Sequence, residues 1–181
     1  MKRHPALLPL THDHHHALVW ARRLRLARDT TEQERLETAR GFLEFFNAEA
    51  IRHFREEEEL LFPLIAEQLG AVPDDVTQLL TQHLEIHAMV HRLGRSVEEG
   101  AVPPEDVRSL GRHFEAHIRL EEKRVFPEIE HAVPEADLAS LTFAKRTRLP
   151  DRERAGIGLP SEGDSPPVPN ATQAGRPTRR P

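Results

Sequence analysis

The chain has 181 residues, enough for one domain with a hydrophobic core, and it lacks cysteine, which excludes disulfides, thiolate zinc sites and cysteine-ligated iron-sulfur clusters. Its formal net charge of -5, with 30% charged residues, gives no basic footprint for nucleic acid. No signal peptide or membrane span is evident, so we expect a cytoplasmic protein without nucleic-acid or membrane partners.

The first predicted helix is capped by Thr11 and runs to about Arg28. His14 lies in the middle of its apolar stripe, whereas His15 lies at the edge. A buried histidine needs a polar partner, so His14 is a candidate ligand and His15 is the alternative. His12 and His16 are expected on the surface.

The second predicted helix begins with a capping box of Thr31 and Glu34 and continues towards Gly70. His53 and Glu57 interrupt its apolar stripe at the centre. Pro63 is expected to kink or loosen the helix one turn later. The predicted stripe consists of Phe42, Phe46, Ala50, Leu60 and Leu64.

The third predicted helix runs from Pro73 to Glu99, with Gly100 as its stop. In heptad register His83 lies at the centre of the buried stripe and His87 flanks it one turn later. We leave open whether both of these histidines are ligands.

The fourth predicted helix begins at the Pro103-Pro104 pair and carries His117 and Glu121 on its stripe. A short fifth helix is expected at about residues 135–146. We therefore assign residues 1–147 to one domain. Residues 148–181 hold seven prolines and four glycines, a composition that predicts a disordered tail.

A thirteen-residue stretch at 53–65 recurs at 117–129, with seven identical positions. Both copies contain His-x-x-x-Glu, as His53 with Glu57 and His117 with Glu121. Residues four apart share a helix face, so imidazole and carboxylate point into the same space. This donor pair suits a transition metal, and two copies on facing helices indicate a dinuclear centre in an all-α, up-down-up-down four-helix bundle.

The donor set can hold two metals if both glutamates bridge. Five histidine nitrogens then remain, three for one metal and two for the other. With one bridging solvent molecule, the first metal is six-coordinate and the second is five-coordinate, which leaves a vacant position for a small molecule. Nitrogen and oxygen ligation above four-coordinate favours two iron ions over structural zinc, with manganese as the less favoured alternative. The candidate ligands are His14, His53, Glu57, His83, His87, His117 and Glu121.

Two further stripe positions are predicted to support the ligands from outside. Glu49 and His113 each lie four residues before a ligand histidine, and we expect both to orient the ligand imidazoles. Glu56, Glu58 and Glu59 are interpreted as a solvated face, with Glu56 or Glu58 as a substitute ligand if the helix is rotated.

These motifs, from about Leu10 to His131, resemble the hemerythrin-like, or HHE cation-binding, domain. The resemblance implies a four-helix bundle with a non-haem di-iron site. Members are associated with oxygen carriage, with sensing of oxygen, nitric oxide or iron, and with iron-sulfur cluster repair. The last motif differs from that of oxygen-carrying members, which have a longer spacing and an aspartate, and the cysteine region of the repair proteins is absent.

The leading functional hypothesis is a di-iron protein that binds dioxygen, nitric oxide or peroxide for sensing, storage or scavenging. The alternatives are a di-iron oxidase or repair-type activity, a regulatory module acting through an unidentified protein partner, and a purely structural bundle. The absence of tyrosine removes the commonest radical relay, so we assign no catalytic residue and favour a binding protein over an enzyme.

Overall fold

A computed structural model describes residues 3–143, and its regular structure in that range is entirely helical. A 3-10 turn at Pro5–Leu7 leads into α1, Leu8–Ala27. The helix therefore begins before Thr11, and the predicted Thr11 cap is wrong. Proline occupies the first turn of α1, where its missing N–H leaves no unmet bond. The Thr11 hydroxyl instead donates to Glu122 at 2.9 Å.

The second bundle helix is continuous but alternates between α- and π-helical geometry. The predicted capping box at Thr31 and Glu34 opens it, and Gly70 ends it with φ of 70°. Its parts are α2 (Glu32–Phe45), a π segment (Phe46–Ala50), α3 (Ile51–Glu56), a second π segment (Glu57–Leu61) and α4 (Phe62–Leu69).

The third and fourth bundle helices complete the fold. The third is α5 (Asp74–Glu98), and Gly100 follows it with φ of 76°. The fourth comprises α6 (Pro104–Leu120), a π segment (Glu121–Val125) and α7 (Phe126–Ala132). The predicted all-α four-helix bundle is confirmed.

The expected fifth helix is present as α8 (Glu135–Ser140), which packs against the 3-10 turn at the N-terminus. It is shorter than predicted because the backbone is extended at Leu141. The predicted tail, residues 148–181, lies outside the described residues.

The π segments change which side chains of the second bundle helix are buried. Leu60, predicted to be in the stripe, is 39% exposed, and Leu64 is only partly buried. Leu61 and Ile65 are fully buried in their place. A π turn holds an extra residue, so every later side chain is rotated relative to an uninterrupted α-helix. That rotation makes the predicted stripe wrong beyond Glu57.

The interior consists of two apolar clusters with a polar layer between them. Along α1, Leu10 belongs to one cluster, Ala17 to the other, and His14 lies between them. Along α5, His83 lies in the same way between Leu79 and Ile86. The two clusters enclose the polar layer and keep it dry. No helix in the described range is long and apolar enough to cross a bilayer.

Candidate metal centre

Six buried side chains meet in the polar layer, one from each of α1 and α5 and two from each of the other bundle helices. They form two overlapping groups in which the potential ligand atoms all lie within 4.8 Å of one another. One group is His14, His53, Glu57 and Glu121, and the other is Glu57, His83, His117 and Glu121. Both groups contain both glutamates, so the two carboxylates are common to the two sets of potential ligand atoms.

Each glutamate faces one histidine of its own helix and one from another helix. Glu57 lies 3.0 Å from His53 Nε2 and 3.5 Å from His83 Nε2. Glu121 lies 3.4 Å from His117 Nε2 and 3.0 Å from His14 Nε2. The contacts within each helix follow from the four-residue spacing, which stacks side chains on one face. The contacts between helices join α1 to the fourth bundle helix and α5 to the second.

Most of these inward-facing atoms lack a hydrogen bond of acceptable geometry within the described chain. All four oxygens of Glu57 and Glu121, with the Nε2 atoms of His83 and His117, are buried and unsatisfied. Leaving a buried polar group unpaired costs about 1–3 kcal/mol, and more if it is charged. Converging donors of these types are the nitrogen and oxygen ligands that a transition metal takes, so the residues present fit a metal cation.

Without a metal, the two buried carboxylates are driven to different charge states. Burial opposes ionisation of Glu57, but the charges of His53 and His83 outweigh it and hold its pKa well below the ordinary value. Burial and the neighbouring charge of Glu57 raise the pKa of Glu121 to about 7. Two like charges in a dry site disfavour one another, so a bound cation would stabilise both carboxylates in the ionised form.

The histidines divide in the same way. Burial lowers the pKa of His53, but Glu57 and Asp13 outweigh it and raise the value to about 10. Burial, assisted by the charge of His83, takes the pKa of His117 well below its ordinary value. The metal-free layer is therefore a network of buried protons and charges, and metal binding has to displace the protons.

The outer nitrogen of every histidine in the layer faces an oxygen acceptor. Two of these contacts are short, between His14 Nδ1 and Glu122 and between His83 Nδ1 and Glu58, each at 2.7 Å. The other two are longer: His117 Nδ1 lies 3.3 Å from Gln82, and His53 Nδ1 lies 3.5 Å from Asp13 in an ion-pair contact that lacks hydrogen-bond geometry. An acceptor at Nδ1 fixes the tautomer that presents Nε2 as a ligand, which is how metal-binding histidines are held.

Sequence reasoning placed other residues in this supporting role. Glu49 contacts His16 at 3.1 Å, and His113 contacts Glu85 at 2.8 Å, so neither touches an imidazole of the layer. The expectation that both orient the ligand imidazoles is wrong. Each lies one helical turn before its ligand histidine, and at that height it contacts a neighbouring helix outside the polar layer. The sequence feature that could have identified the actual acceptors is adjacency to a ligand. Each acceptor directly precedes or follows a residue of the layer: Asp13, Glu58, Gln82 and Glu122.

His87 is the one predicted ligand that the structure does not bring to the layer. It lies on the exposed side of α5, and its ring packs edge-on against Phe46 and Phe54 at 5.4 and 5.7 Å. Ile86 takes the next inward position after His83. The alternative ligand His15 is also exposed and outside both groups, whereas His14 is 2% exposed.

A small cavity borders the layer between α1, α6 and the second bundle helix. It leaves about 10 Å³ for the centre of a water-sized molecule, which is close to the minimum that holds one. His14, His53 and His117 line one side, and the remaining wall is largely apolar, with Ala17 and Phe54 among its members. The space as it stands therefore holds about one water-sized group beside the histidines.

Comparison with known proteins agrees with this geometry. The family model for the hemerythrin HHE cation-binding domain matches residues 7–132, which include all six side chains of the layer. Neither curated proteins nor solved structures gave a significant match. From the matched span and the buried layer of histidine and glutamate, we conclude that this chain belongs to the hemerythrin HHE cation-binding domain family.

Proposed function

We propose that the chain binds two iron ions in the polar layer and holds a small molecule, dioxygen, nitric oxide or peroxide, at the cavity beside it. The observation that carries the proposal is that two four-residue groups share Glu57 and Glu121. Shared carboxylates favour a metal pair over a lone ion. Four protein ligands at each position leave room on iron, which takes five or six, for an added ligand.

The cavity favours the His14–His53 position as the one that receives the small molecule. Both of these histidines line the cavity, whereas His117 is the only contributor from the other position. Ala17 follows His14 by three residues on α1. On the opposite side of the layer, Ile86 follows His83 by three residues on α5. The larger side chain is buried there, so space is open beside one position.

The residues of the chain have separate roles in this proposal. Glu57 and Glu121 would be ligands of both ions, and four histidines would supply the remaining protein ligands. Asp13, Glu58, Gln82 and Glu122 orient the imidazoles, and the two apolar clusters exclude water. When bound, iron supplies the affinity for the small molecule and the redox chemistry that a sensor, store or scavenger needs.

The test is iron content with the visible spectrum of protein purified in air. We expect about two irons per chain in the wild type and loss of both in the variant carrying Glu57→Ala with Glu121→Ala. His83→Ala and His87→Ala form a matched pair on one helix. His83→Ala should lose iron, and His87→Ala should keep it. No stoichiometric iron in the wild type would refute the proposal.

Small-molecule binding is tested separately with azide and nitric oxide titrations of the iron-loaded protein. Ala17→Ile should fill the cavity and weaken binding at least about tenfold while iron content stays the same, because the added carbons occupy the space beside His14. Ile86→Val is the control on the opposite side and should leave binding unchanged. Equal affinities in the wild type and Ala17→Ile would refute the cavity assignment.

A further inference from the structure

We propose that one acceptor difference, Asp13 against Gln82, makes the two metal positions unequal, so that the position of His14 and His53 binds its cation more tightly than that of His83 and His117. This inference rests on the proposed two-metal function. It concerns which of the two ions is held harder and why.

The two halves of the bundle correspond to one another, residue by residue, around the polar layer. His14 of α1 corresponds to His83 of α5, and the repeated stretch makes His53 correspond to His117. The ring pairs have matching geometry: His14 and His53 lie 4.7 Å apart edge-on, and His83 and His117 lie 4.7 Å apart edge-on. The protein therefore offers two nearly equivalent nitrogen pairs to the two shared carboxylates.

The short outer contacts preserve this equivalence. Glu122 faces His14 and Glu58 faces His83, both at 2.7 Å, and these glutamates occupy corresponding positions directly after Glu121 and Glu57. Glu122 is also paired with Arg3 at 2.6 Å, but Arg3 divides its charge between Glu122 and Glu130, which lies 3.1 Å from it. Glu58 is the more water-exposed carboxylate, at 38% against 26%, so its charge is screened by water as that of Glu122 is by Arg3.

The longer outer contacts break the equivalence. Asp13 directly precedes His14 and faces His53 of the same position. Gln82 directly precedes His83 and faces His117 of the other position. The Asp13 contact is an ion-pair contact without hydrogen-bond geometry, and it places a negative charge one ring away from the cation, whereas the neutral amide of Gln82 does not. Both imidazoles of the first position thus have a carboxylate beside the outer nitrogen, but only one imidazole of the second position does.

Arg52 reduces the charge of Asp13 without removing its effect on His53. The guanidinium lies 3.4 Å from the same Asp13 oxygen that faces His53 at 3.5 Å. Arg52 is the more exposed partner, with its side chain 23% accessible against 11% for Asp13, so water screens its charge more. Of the two charges, that of Asp13 is therefore the less screened beside the His53 imidazole.

The experiment is an anaerobic titration of metal-free, full-length protein with Fe(II) in competition with a chelator. We expect two dissociation constants in the wild type. Asp13→Asn should weaken the tighter one by about 10–100-fold, the range for loss of an outer partner of a metal ligand, and leave the weaker one nearly unchanged. Gln82→Glu should tighten the weaker constant instead. These isosteric substitutions test the same contact in opposite directions.

The sites are assigned with His53→Ala and His117→Ala, which should remove the tight and the weak phase respectively. Denaturant unfolding of each metal-free variant shows whether it folds, and Gln82→Glu tests the proposal even if Asp13→Asn does not fold. Two equal constants in the wild type, or constants that neither substitution moves, would overturn this inference and leave the two-metal proposal intact. Failure of the wild type to bind Fe(II) would overturn both.

Discussion

Glu121→Gln separates a metal centre from a histidine-rich structural core, because the same substitution should have opposite consequences with and without metal. Glu121 is fully buried and belongs to both groups of potential ligands. Its pKa in the metal-free protein, raised by burial and by the charge of Glu57, is about 7. Because this raised pKa means that the folded protein disfavours the ionised form, a neutral amide of the same shape should raise metal-free stability at neutral pH, by at most about 3 kcal/mol.

With metal present the expected effect has the opposite sign. A ligand that binds only the folded state at 100 times its dissociation constant adds about 2.7 kcal/mol, so two filled positions add about 5 kcal/mol. For a domain of this size each kcal/mol moves the melting temperature by roughly 3 °C, giving a rise of about 15 °C. Glu121→Gln should lose most of that rise because it removes the carboxylate from both groups.

The assay is thermal unfolding followed by circular dichroism, with and without Fe(II) under anaerobic conditions. Glu59→Gln is the matched control, since that exposed side chain pairs with Arg55 at the surface and belongs to neither group. It should keep the full metal-induced rise. The reasoning is refuted if Fe(II) leaves the wild-type melting temperature unchanged, or if Glu121→Gln keeps the rise seen in Glu59→Gln.

Three further predictions concern the metal-free protein. His53 has a pKa raised from 6.5 to about 10, where burial is outweighed by Glu57 and Asp13, so its stabilising contribution is complete below pH 6.5 and is lost as pH rises towards 10. Urea midpoints should fall over that window in the wild type, and His53→Ala should flatten the decline. Gly111→Ala should destabilise by about 1–3 kcal/mol, because its Cβ would lie 2.6 Å from the Ala21 carbonyl, whereas Gly94→Ala meets open space and should stabilise by up to about 1 kcal/mol. Thr31→Ala should cost about 1 kcal/mol by removing the capping box, measurable in the same denaturation series.

The helices could be predicted because their signals are local. Thr31 with Glu34 defines the start of one helix, and Gly100 defines the end of another through a backbone conformation that other residues rarely adopt. The inward positions of His53 and His117 followed from apolar periodicity and a four-residue spacing. Each of these features depends on the residues of a single helix, so it can be predicted without knowing how the helices pack.

Adjacency in the sequence could identify the outer residues as candidates, but it could not predict which imidazole each one faces, because those contacts join two different helices. Asp13 faces His53 across the interface of α1 and the second bundle helix, and no spacing within either helix encodes that approach. His87 is the opposite case, a residue that the sequence predicted as a ligand and that lies outside the layer. Its register next to the buried stripe of α5 allowed an inward position, and the packing of Ile86 and Phe54 decided the outcome.

The repeated Phe-Pro pair follows the two π segments that begin at Glu57 and Glu121. Pro63 and Pro127 each lie two residues beyond a π segment that begins at a glutamate of the polar layer. Proline cannot donate the intrahelical hydrogen bond, and its ring crowds the preceding turn, so a wider turn just before it relieves both constraints. The same wider turn starts where Glu57 and Glu121 point inward and Glu58 and Glu122 reach histidines on other helices. The proline that the sequence presents as a helix breaker thus marks a local widening that lets two consecutive carboxylates serve the same centre.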